Sequence, residues 1–156
     1  MEEVRGIQIK IKDTTFLKNS TYKNEKQLEK EIHDNINDFI ESYYGDEVVE
    51  SSTNKNCLAN NNKEVKGKRV DIYAKGKKCE YIIECKNSKL TLINLSQLIG
   101  YSCSALPIFS ILIAPQGMGT TLNKLLTSFN RKDVLEFRPK RRIEVLKWDK
   151  NKQDID

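Results

Sequence analysis

The chain holds a single histidine, His33, and its four cysteines, at positions 57, 79, 85 and 103, form no C-x-x-C pair. Zinc sites bring their ligands in close pairs, so no structural zinc site is expected. The cysteine spacing suggests no disulfide framework, and reduced thiols in an intracellular protein are the expected state. Long apolar runs are also missing. The cleanest, from Ile108 to Pro115, is strand-sized, far short of the roughly 20 residues of a membrane span. The opening MEEVRGIQIKIK places two acids after the methionine and has no apolar stretch, so no signal peptide is expected. The segment PQGMGTT has two glycines but lacks the G-K-[ST] of a phosphate-binding loop, and reads as a turn before a helix.

What is present is a chain of 156 residues, 38% hydrophobic and 31% charged. That length predicts one domain with its own core and a polar surface. The net charge of +5 is unevenly spread: residues 63–90 carry nine Lys/Arg against four acids, which accounts for all of it. Residues 25–47 hold eight acids against two lysines, and residues 131–142 six bases against two acids. Two basic stretches downstream of an acidic helix suit a polyanionic partner, although charge on a solvated surface needs no partner at all.

Apolar residues at 28, 32, 36, 39, 40 and 43 follow a helical period and predict an amphipathic helix over 24–44. Thr21 or Asn24 is its expected cap and Gly45 its stop. The Asn/Lys-rich stretch from Ser51 to Lys68 reads as a flexible loop. Two strands, Arg69–Ala74 and Cys79–Lys86, flank Gly76 and two lysines as a hairpin. A helix is expected over Leu92–Ala105, a buried strand over Ile108–Ala114, a helix over Thr120–Phe129 and a late strand over Arg142–Lys147. The alternating segment 4–12 is a further candidate strand, at an edge.

The hairpin RVDIYAKGKKCEYIIECKN carries the chemistry. If it turns over 76–79, Asp71 falls opposite Glu84, and directly opposed residues share a face. Lys86 lies on the same face as Glu84. Two carboxylates held that close repel unless a cation sits between them. Hard oxygen ligands suit Mg²⁺ or Mn²⁺, and a lysine beside them suits in-line hydrolysis of a phosphodiester. A surface cross-strand ion pair is the plain alternative. The half-buried I-I-E-C-K context argues against it, because burying charge is costly.

The Asp71, Glu84-x-Lys86 arrangement resembles the PD-(D/E)xK nuclease superfamily, with Val70 where the name-giving proline would stand. The resemblance covers roughly residues 25–115. It implies an α/β fold with a restriction-endonuclease-like core, a mixed β-sheet flanked by helices in the order αβββαβ, provided a strand is added near 47–50. It also implies a helix carboxylate completing the metal site. Glu25, in an E-x-x-L pattern, fills that place, with Glu29 one turn later as the competing choice. Gln97, on the helix after the E-x-K strand, would orient Lys86 or the attacking water.

The expected activity is therefore Mg²⁺- or Mn²⁺-dependent cleavage of double-stranded DNA, as an endonuclease. Asp71, Glu84 and Glu25 would hold the metal and Lys86 would serve the water. Lys68, Arg69, Lys75, Lys77, Lys78, Arg138, Lys140, Arg141 and Arg142 would hold phosphates. The cysteines do not fit the iron–sulfur variants of the superfamily, so no cluster is expected. A homodimer would supply two sites for two strands. A ribonuclease or junction-selective nuclease would use the same residues; a non-catalytic nucleic-acid-binding protein is the rival of another class. A cytoplasmic setting, in a prokaryote or virus, suits such a protein. Residues 1–156 are read as one nuclease-like domain with a basic C-terminal extension from about 131.

Overall fold

The structure, a computed structural model, describes residues 22–58, 64–105 and 109–155. The candidate strand over 4–12 and the Thr21 cap lie outside these residues. Within them the helical period emerges as two helices, α1 (Glu25–Asp34) and α2 (Ile36–Tyr44). Asn24 caps α1 by accepting from the Gln27 N–H, and Gly45, at φ 65°, ends α2. The predicted single helix breaks at Asn35. Its side chain donates to the Glu31 carbonyl at 2.8 Å while its own N–H is shared between Glu31 and Ile32. Asparagine competes in this way with regular helix geometry. Both helices still bury one continuous stripe, Leu28, Ile32, Ile36, Phe39 and Ile40.

Among the described residues the sheet has seven strands: β1 (Val48–Leu58), β2 (Glu64–Gly76), β3 (Glu80–Cys85), β4 (Phe109–Ala114), β5 (Glu136–Arg138), β6 (Arg141–Asp149) and β7 (Asp154–Ile155). They run in the order β1-β2-β3-β4-β6-β5, with β7 also paired to β6. β1, β2 and β3 are antiparallel neighbours; β4 is parallel to β3, and β6 parallel to β4. Helix α3 (Leu92–Ala105) joins β3 to β4, and α4 (Thr120–Leu126) follows β4. The fold is thus mixed α/β, a mixed sheet flanked by four helices among the described residues.

Strand alternation sorts the core into two layers. Ile72, Ala74, Tyr81, Ile83, Ile111, Ile113, Leu146 and Trp148 pack with α1 and α2. Tyr73, Ile82, Leu112, Ala114, Ile143 and Val145 pack with α3 and α4. β4 is buried on both faces, as its unbroken apolar run requires. Trp148 pins β6 to α1: its Nε1 donates to the Tyr22 hydroxyl at 3.0 Å and to Glu31 Oε2 at 2.9 Å, and Tyr22 also donates to Glu31.

Several expectations are corrected here. The stretch 51–68 is largely two paired strands, the far halves of β1 and β2, with Thr53 opposite Ile72 and Lys55 opposite Val70. Among the described residues β1 is an edge strand, and an edge tolerates the polar residues that suggested a loop. Gly67, Lys68 and Arg69 therefore lie in β2 rather than in a turn before it. The predicted third helix stops at Leu126 rather than Phe129. The segment from about 131 is not an extension: β6 is hydrogen-bonded beside β4 and contributes Ile143, Val145, Leu146 and Trp148 to the core. Its basic run is the turn of the β5–β6 hairpin. Among the described residues no helix is long and apolar enough to cross a membrane.

Candidate active site

The site is built by the β2–β3 hairpin, and the hairpin is set by its turn. Asp46, 2% exposed, accepts from the N–H groups of Lys78 and Cys79 and from the Tyr81 hydroxyl at 2.8 Å. Burial alone would push this carboxyl up, but the hydrogen bonds from Tyr81, Lys78, Cys79 and Glu47 outweigh it and hold the group below its ordinary value. Gly76 closes the turn, its N–H donating to the Cys79 carbonyl at 2.8 Å. The resulting register pairs Ile72 with Ile83, Tyr73 with Ile82 and Ala74 with Tyr81. One step further along, Asp71 meets Glu84, as the turn over 76–79 predicts.

The two carboxyl groups interlock through the backbone. The Asp71 N–H donates to Glu84 Oε1 at 3.1 Å, and the Cys85 N–H donates to Asp71 Oδ2 at 2.9 Å. Glu84 is 7% exposed. Its burial, then the negative charge of Asp71, pushes its carboxyl from 4.5 to about 8. Asp71 is also raised, chiefly by burial, against the pull of the Cys85 N–H and the Lys86 ammonium. Both carboxyls are thus shifted toward their protonated forms, because two buried charges held this close would repel.

Helix α1 brings two more carboxylates to the same place. Asn87, just after Lys86, accepts from the Tyr22 N–H at 3.2 Å and donates to the Tyr22 carbonyl at 2.7 Å, fastening the start of α1 to the end of β3. Half-buried Glu29 is raised from 4.5 to about 7 by burial, then by the charges of Asp71 and Glu25. Glu25 is exposed, yet its charge reaches Asp71. The helix thus supplies both of its candidate carboxylates, with Glu29 the more deeply set. The fully buried Cys85 thiol is held well above its ordinary value by burial and by all four of these carboxyls, which rules it out as a nucleophile at neutral pH.

Lys86 follows β3 directly, its N–H donating to the Ile113 carbonyl at 3.0 Å, and its positive charge lowers Asp71, Glu84 and Glu29 alike. Asp71, Glu84, Lys86, Glu25 and Glu29 therefore form one electrostatic cluster. Gln97 does not join it: it is exposed on α3 and, among the described residues, makes no hydrogen bond to Lys86 or the carboxyls. Among the described residues no three His, Cys, Asp or Glu side chains are already arranged as a cage for a metal ion.

The expected phosphate contacts divide. Arg69 is exposed two residues before Asp71; the Lys68 side chain lies outside the described residues. Lys75, Lys77 and Lys78 sit at the turn end of the hairpin, with Lys77 on Glu47 at 2.7 Å and Lys78 Nζ on the Gly45 carbonyl. Arg138, Lys140, Arg141 and Arg142 precede the part of β6 that pairs with β4. The antiparallel β2–β3 turn sets the first three, and the parallel run of β3, β4 and β6 sets the other four, at the opposite end of the sheet from Glu84.

Asp46 and Asn87 are the residues that sequence reasoning missed. Both act by positioning, and nothing in their local sequence distinguishes them from ordinary turn residues. No family model, curated protein or solved structure matches this chain.

Proposed function

We propose that the chain is a divalent-metal-dependent nuclease that hydrolyses phosphodiester bonds in DNA, with Asp71 and Glu84 as its metal-binding pair. The observation that carries this reading is the buried pair itself. Two carboxyls are forced together by the hairpin register, one raised to about 8, with Lys86 at their side. A merely structural ion cluster would balance those charges, whereas here the acids outnumber the base. The order helix, β1, β2, β3, α3, β4, with β4 parallel to β3, supports the likeness to a restriction-endonuclease-like core.

The donor set fits the group the reading calls for. Asp71, Glu84 and a helix carboxylate, Glu29 or Glu25, offer only hard oxygens, the preference of Mg²⁺ and Mn²⁺. When bound, such an ion supplies charge neutralisation at the phosphate and a more acidic water. The Cys85 N–H would keep Asp71 oriented. Lys86 would steady the negative charge that builds on the phosphate oxygens, and Arg69 would hold a neighbouring phosphate.

The test is incubation with supercoiled plasmid, linear duplex, single-stranded DNA, a four-way junction and RNA, each with Mg²⁺ or Mn²⁺ and with EDTA. Metal-dependent cleavage of DNA is expected. Cleavage of RNA or of the junction alone would select a ribonuclease or structure-selective nuclease using the same residues. Salt-sensitive binding without cleavage of any substrate would replace the reading with that of a non-catalytic nucleic-acid-binding protein.

A further inference from the structure

The β5–β6 hairpin is more basic than its fold requires. Arg138 and Arg141 are direct cross-strand partners, and like charges directly opposed destabilise a hairpin. The turn between them is Pro139-Lys140, with Lys140 at φ 63°, a conformation that glycine adopts without cost and lysine does not. Nearby acids do not neutralise the pair. Arg131 already holds Asp133 through two bonds of 2.9 and 3.0 Å, and Glu136 stands opposite Arg142. Among the described residues no carboxylate forms an ion pair with Arg138, Lys140 or Arg141. The chain must return to this end of the sheet after β4 to start the parallel strand β6. That return sets Phe129, 68% exposed, in the segment leading to the hairpin.

The hairpin lies away from the carboxylates. Through the pairings Glu84–Leu112 and Leu112–Val145, Arg141 lies four residues back along β6 from the level of Glu84, roughly 13 Å at 3.3 Å per residue. Two further strand spacings of about 4.8 Å separate β3 from β6. That is too far for these arginines to hold the phosphate being cut.

We infer that the β5–β6 hairpin is a second nucleic-acid site, in which Arg138 and Arg141 clamp backbone phosphate of a stretch that is not being cut. Arginine pairs match the planar, two-oxygen face of a phosphate, and an anion between them removes the repulsion that the bare hairpin carries. The choice of nucleic acid as the polyanion rests on the nuclease reading.

The test is binding of the full chain to a fluorescein-labelled duplex in EDTA, across a salt series, with wild type, Arg138→Gln/Arg141→Gln and Arg138→Glu/Arg141→Glu. Circular dichroism checks that the variants fold. Affinity is expected to fall about tenfold or more in the glutamine variant and further in the glutamate variant. The slope of log affinity against log salt should shrink by about 2. Affinity and slope within twofold of wild type would overturn the clamp, as would arginine-dependent binding to phosphatidylserine vesicles without binding to the duplex. Because EDTA removes catalysis from the measurement, an inactive wild type that binds through the arginines would sink the nuclease reading and leave the clamp standing. An active wild type whose binding ignores the arginines would do the reverse.

Discussion

Replacing Glu84 by Gln should reduce metal-dependent cleavage by about 10³-fold or more while leaving the protein folded. The amide is nearly isosteric with the protonated acid that the ion-free site favours. Its Oε1 can still accept from the Asp71 N–H, now at 3.1 Å, and its Nε2 can donate toward the Asp71 carboxyl. What disappears is the ability to ionise, and with it one of the two negative charges that would hold a cation. Thermal stability without metal should be unchanged or slightly higher, because a buried acid crowded by Asp71 has been removed. Cleavage rates at saturating metal, together with a melting curve, check both halves. Near-normal cleavage would take Glu84 out of the chemistry; a large fall in melting temperature would make it a structural residue.

Replacing Gly76 by Ala should be the most damaging small substitution in the hairpin. A Cβ at this position would stand 2.0 Å from Asp46 Oδ2 and 2.5 Å from its Cγ, well inside contact distance. Asp46 cannot retreat without surrendering the Lys78 and Cys79 N–H groups and the Tyr81 hydroxyl. Overpacking together with broken buried hydrogen bonds costs about 3 kcal/mol or more, or roughly 6–12 °C in melting temperature for a chain of this size. Asp46→Ala alone should destabilise comparably, through the same three donors. Adding Gly76→Ala to it should cost much less than the sum, since the clash would be gone. A strictly additive cycle, measured by denaturant unfolding, would show that the two residues are not coupled.

The hairpin that carries the candidate site was the most legible part of the chain. Gly76 with its flanking lysines announced the turn, and strict alternation on either side then set Asp71 against Glu84 without any tertiary information. β1 was illegible past Glu50 because an edge strand can be built from serine, threonine, asparagine and lysine; its pairing with β2 is a tertiary fact that composition conceals. Asn35 split a helix whose apolar period runs unbroken through it, since the stripe reports which face is buried and not whether the axis is continuous. The choice between Glu25 and Glu29 could not be made from a period that puts both on one face. The structure shows that both reach the cluster. The placement of the basic residues was not legible: charge density along a sequence says nothing about which end of a sheet it occupies, and the hairpin turn and the parallel strands set seven of nine at the end away from Glu84.

The central claim is that a buried, closely set carboxyl pair is a divalent-cation site, and melting curves from pH 5 to 9, in EDTA and in Mg²⁺, test it most directly. Glu84 and Glu29 have folded-state values near 8 and 7, above the ordinary 4.5. Between those limits these two groups bind more protons in the folded chain than in the unfolded one, so their contribution to stability without metal is fully present below about 4.5 and is lost as pH rises through 7 and 8. A bound cation takes over the role of those protons, so Mg²⁺ should flatten the decline and stabilise the protein increasingly with pH. Glu84→Gln should lose most of that stabilisation. Curves in EDTA and Mg²⁺ that superimpose across the whole range, at millimolar metal, would contradict the account.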